Sequence, residues 1–217
     1  MLKFPQLLLL FGPLLLVVLP LSARVGESQS DLESRLDESG RGLHITDGDL
    51  IDYHRNRSPI GPYAELIPET EYEVYYKINT TVIPTSRNLW HADAKGKRSG
   101  KPIDRPEGWL LHVLYLNGVS VFEYYQRSQG LTSVEKNGIL SINKGESEWE
   151  QGRVPKDNED AIQPQIFRHN HYRADFSIYA NVSGDSILLF DPRLDQMIKE
   201  RELDKAMELA PDSLDGF

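Results

Sequence analysis

The sequence predicts an α+β domain: an antiparallel sheet built from hairpins, with one C-terminal amphipathic helix packed on it. Three observations predict it. Asn117-Gly118 joins two apolar runs, residues 109–116 and 119–126, and this dipeptide accepts the positive φ angles of a type I′ hairpin turn. Tyr72, Val74, Tyr76, Ile78 and Val82 recur with a period of two, the alternation of a half-buried strand. Asp191-Pro192 then opens a segment with Leu194, Met197, Ile198, Leu203, Ala206 and Met207 as an apolar stripe. Asp caps a helix well and Pro is suited to its first position.

At the N-terminus, Lys3 precedes an apolar stretch, Phe4 to Leu21, and Leu21-Ser22-Ala23 offers a cleavage site, the layout of a secretory signal. Its apolar middle, residues 7–19, spans about 20 Å as a helix against a hydrocarbon core of about 30 Å. Residues 1–23 are therefore expected to be a signal peptide, with a retained membrane anchor as the alternative. Both place the rest of the chain outside the cytoplasm. Residues 24–50 are polar and read as a flexible linker, despite a capping-box pattern at Ser30-Asp31-Leu32-Glu33. Residues 51–217 are expected to form a single domain, irregular from 51 to 68.

Thr85 to Pro106 is a long loop, and a second Asn-Gly at Asn137-Gly138 suggests a smaller hairpin. After an acidic loop from 144 to 164, residues 166–182 read as one strand. Gly184-Asp185 turns it into a further strand, Ser186 to Phe190.

Composition excludes several functions. The chain of 217 residues has no cysteine, so disulfides, thiol nucleophiles and thiolate metal sites are absent. A formal charge of −9 disfavours nucleic acid as a partner. No Gly-x-Ser-x-Gly elbow occurs, and Gly96 to Pro102 lacks the spacing and the hydroxyl residue of a phosphate loop. Glu146, Glu148 and Glu150 read as a solvated run. Sequons occur at Asn56, Asn79 and Asn181.

Three groups of residues are candidates for chemistry. A two-residue loop at Asn117-Gly118 sets His112 opposite Glu123, an imidazole–carboxylate pair amid apolar neighbours. It is either an acid–base pair or an ion pair that satisfies two buried groups. Trp109, Tyr115, Phe122 and Tyr124 then form an aromatic band on the other face. His169, His171 and Asp175 share one face of the expected strand and could hold a divalent metal as a cofactor. Arg173 on the same face would repel a cation and instead favours an anion.

The basic loop contributes Arg87, Lys95, Lys97, Arg98 and Lys101 as a surface for acidic partners. The expected role is a non-catalytic exported domain that binds an envelope protein or an anionic polysaccharide through that loop, His171 and Arg173. The alternatives are a metal-assisted hydrolase and a membrane-anchored accessory subunit of an envelope complex.

Overall fold

Eight strands form one antiparallel sheet in the computed structural model, which describes residues 25–38, 42–77, 89–92, 98–103, 107–127 and 129–208. The strands are β1 (Gly42–His44), β2 (Thr70–Lys77), β5 (Trp109–Leu116), β6 (Val119–Arg127), β7 (Trp149–Gln151), β8 (His171–Arg173), β9 (Tyr179–Val182) and β10 (Ser186–Phe190), while β3 (Trp90–Ala92) and β4 (Arg98–Pro102) pair as a separate ribbon. The spatial order is β1-β2-β5-β6-β10-β9-β8-β7. The helices are α1 (Gln29–Glu38), α2 (Gly48–Arg55), α3 (Ser133–Ile142) and α4 (Pro192–Glu208), with a 3-10 turn at Gly61–Leu66. The fold is α+β, as the hairpin pattern predicts. Among the described residues no helix is long and apolar enough to cross a membrane. Residues 1–23 lie outside the described residues.

The central hairpin turns where Asn-Gly demands it. Asn117 has φ of 53° and Gly118 of 77°, the left-handed pair of a type I′ turn. Beyond the turn the expected register fails. Tyr115 still faces Ser120, but Leu114 faces Phe122, so Val121 is an extra residue in a β-bulge. Its cause is non-local. The Ser120 carbonyl accepts from Gly26 N–H at 2.7 Å and its N–H donates to the Glu27 carbonyl at 2.9 Å, while the Val121 carbonyl accepts from Asp191 N–H at 2.9 Å. Because side chains alternate with period two, one extra residue exchanges the faces of every later residue in the strand. Phe122 and Tyr124 therefore share the face of His112, whereas Glu123 faces Val113 on the other side. The predicted His112–Glu123 pair and the four-residue aromatic band do not exist.

Both faces of the sheet are covered, which explains why β5 reads as a nearly continuous apolar run. On one face Leu111, Val113, Tyr125, Ile187 and Leu189 pack against Leu32 and Leu36 of α1 and Ile139 of α3. On the other, Phe122, Leu188 and Phe190 pack against Leu194 and Ile198 of α4 and against Phe167. Val74, Tyr76 and Leu110 meet Leu50 of α2 and Trp90. Leu194 and Ile198 are 2% and 0% exposed, each contributing about 1.5–3 kcal/mol relative to an exposed position. Leu203 and Met207, expected in the same stripe, are exposed. Leu203 lies nine residues beyond Leu194, at about 100° per residue half a turn round the helix.

Three further expectations are corrected. Of the linker expected over residues 24–50, the described residues 25–38 and 42–50 are packed into the domain: Leu32 and Leu50 are fully buried and β1 pairs with β2. Asn137-Gly138 lies inside α3, because Thr132 and Glu135 form a capping box that starts a helix there. The strand expected over 166–182 is two strands, β8 and β9, paired around a turn at Phe176 with φ of 57°.

Candidate functional site

Each half of the predicted polar pair sits in its own network. Glu123 is fully buried and accepts hydrogen bonds from the Tyr125 hydroxyl at 2.5 Å and the Ser120 hydroxyl at 3.3 Å. Arg35 lies nearby, held by Glu27 at 2.7 Å. His112, also buried, lies in a polar chain beneath α2. Its Nδ1 is 2.6 Å from the Tyr72 hydroxyl and its Nε2 is 3.0 Å from Gln126 Oε1. The Gln126 amide nitrogen in turn donates to the Tyr124 hydroxyl at 3.0 Å.

The His54 ring stands edge-on to His112 at 5.9 Å, and its Nε2 is buried without a hydrogen-bond partner. Burial, reinforced by Arg57, pushes His54 down to about 4. Burial and the adjacent His54 push His112 down to about 3. Both imidazoles are therefore neutral at physiological pH, and neither titrates where a general base must.

Tyr124 connects this buried chain to a groove. His112, Tyr124, Leu188 and Asn181 are neighbours in register across β5, β6, β10 and β9. Tyr124, Leu188 and Asn181 floor a cavity of about 360 Å³, edged by Tyr63 of the 3-10 turn and by Arg168. That volume falls within the range of about 300–1,000 Å³ of small-molecule pockets. Arg168 is exposed. The segment before it is pinned by Asp195, a buried carboxylate of α4. Asp195 accepts from the backbone N–H groups of Gln165, Ile166 and Phe167 at 2.6, 2.9 and 2.6 Å.

The groove brings together two tyrosine side chains, serine hydroxyl and asparagine amide groups and one guanidinium, the complement of a small polar ligand with an anionic group. Its walls come from residues 59–63, 124, 166–168 and 181–188, so no local motif announces it.

The other predicted residues are engaged elsewhere. His169 Nε2 accepts from Val154 N–H at 3.1 Å, and burial, with Arg153, lowers its pKa. His171 Nδ1 meets Asn170 Oδ1 at 2.9 Å. Arg173 is buried and its Nη2 donates to Asp175 at 2.6 Å. Asp175 also accepts from the Ser177 hydroxyl at 2.8 Å. His169 precedes β8 and Asp175 lies beyond it, so the shared face expected for the three does not form. Among the described residues no three metal-ligating side chains cluster. Arg87, Lys95 and Lys97 lie outside the described residues, while Arg98 and Lys101 fall in β4. Protein-family models, curated proteins and solved structures return no match to this chain.

Proposed function

We propose that this is a non-catalytic exported domain that binds an anionic glycan in the groove beside Tyr124. The observation carrying the reading is the meeting of Tyr63 and Tyr124 with Asn181 and Arg168 around one cavity. An aromatic ring covers the C–H face of a sugar, amide and hydroxyl groups meet its hydroxyls, and a guanidinium pairs with a carboxylate in a bidentate fork. The overall charge of −9 opposes anions at long range, so recognition must rest on this local cation. Export is supported by the apolar segment from Phe4 to Leu21 behind Lys3, the layout of a secretory signal.

The test is calorimetric titration with glucuronate and with glucose as its neutral counterpart. Glucuronate is expected to bind more tightly. Arg168→Ala should weaken glucuronate about tenfold or more while leaving glucose unchanged, the loss of one charge-assisted contact. Equal binding of both sugars, or an unaffected Arg168→Ala, would defeat the reading.

A further inference from the structure

We infer that the buried chain Tyr72–His112–Gln126 fixes Tyr124 as a hydrogen-bond donor into the groove, so that the groove selects ligands presenting an acceptor oxygen at that ring. The inference rests on the groove reading and adds to it the polarity of one contact. An amide oxygen only accepts and an amide nitrogen only donates. Gln126 turns its oxygen to His112 Nε2 and its nitrogen to the Tyr124 hydroxyl, each at 3.0 Å. His112 Nε2 must therefore carry the proton. A neutral imidazole has one N–H, so Nδ1 is the acceptor and the Tyr72 hydroxyl at 2.6 Å donates to it. Burial keeps the Tyr72 phenol protonated, raising its pKa, and keeps His112 uncharged.

Every bond in the chain then runs in one sense. The Tyr124 oxygen accepts from Gln126, and its own proton is left for the cavity that Tyr124 lines. Reversing the sense requires the amide to flip and the imidazole to change tautomer together, and bonds polarised in series resist that. A carboxylate or sulfate oxygen fits the donor; an ammonium group or a C–H edge does not. Tyr124 is thus the contact residue, and His112 and Gln126 are positioning residues.

Two measurements test this. Long-range ¹H–¹⁵N correlation on the unaltered protein reads the His112 tautomer directly. The Nε2–H form is expected, and the Nδ1–H form would overturn the donor assignment whatever the protein binds. Second, Gln126→Glu replaces the amide with a group that only accepts, which draws the Tyr124 proton inward. Glucuronate affinity should fall about tenfold or more, the worth of a hydrogen bond to a charged group. Tyr124→Phe should lose as much, and the double variant no more than either alone. Losses that simply add would show the new charge repelling glucuronate independently of Tyr124, and would overturn the inference. Wild-type protein with the Nε2–H tautomer but no affinity for glucuronate would overturn the glycan reading alone.

Discussion

His54 shows how a single buried atom can govern the response to pH. Its Nε2 has no partner, so nothing compensates the ring when a proton arrives. His112 beside it has both nitrogens engaged, and a proton there would break the bond from Tyr72. The charged groups facing the pair are Arg57, which acts on His54, and Arg55, which acts on Tyr72; both oppose further positive charge. The folded pKa values, about 4 and about 3, lie below the unfolded value of about 6.5. The unfolded chain therefore binds more protons between those limits, and stability falls as pH falls. The contribution is complete above pH ~6.5 and is lost progressively down to the folded pKa values, at about 1.4 kcal/mol per pH unit for each ring. His54→Leu removes one of the two. Urea denaturation at pH 7 and pH 4.5 should show the variant losing about one proton's worth less stability than wild type. Identical losses would mean that His54 already ionises in the native state.

At the scale of elements, the hairpin was legible and its register was not. Asn117-Gly118 determines the turn through backbone sterics, which are local. The bulge arises because Ser120 gives its backbone groups to residues 26 and 27, more than ninety positions away. No property of the run itself records that competition. Residues 132–142 failed differently: Thr132 and Glu135 carry the capping box, yet Asn137-Gly138 offers the stronger local turn signal. The helix prevails because Ile139 is buried against α1 and the sheet.

The register has an energetic consequence. His112 and Glu123 occupy opposite faces, so a double-mutant cycle with His112→Gln and Glu123→Gln should give a coupling below about 0.5 kcal/mol. The cycle of Tyr72→Phe with His112→Gln shares a hydrogen bond and should give about 0.5–3 kcal/mol. Strong coupling in the first cycle would restore the unbulged register.

The whole molecule depends on a layer that composition concealed. Residues 25–38 contain few apolar side chains, but the few are placed where the sheet needs them: Val25, Leu32 and Leu36 are 7%, 0% and 7% exposed. The same global assembly explains why the groove was illegible while the C-terminal helix cap was not. Asp191 needs only its own backbone neighbour, accepting from Arg193 N–H at 2.8 Å. Tyr63, Arg168 and Asn181 meet only because α4, through Asp195, and the 3-10 turn settle on one sheet face. A polar segment with two leucines four positions apart reads as weakly helical in isolation, since short helices gain most of their stability from packing. Leu32→Ala discriminates the two views of it. In a layer over Leu111, Val113 and Leu189, the substitution leaves a cavity and should cost about 2–5 kcal/mol. In a flexible spacer it would change stability by no more than about 0.5 kcal/mol. Urea midpoints at constant m-value measure the difference. A neutral Leu32→Ala would detach α1 from the domain and leave that face of the sheet without its cover.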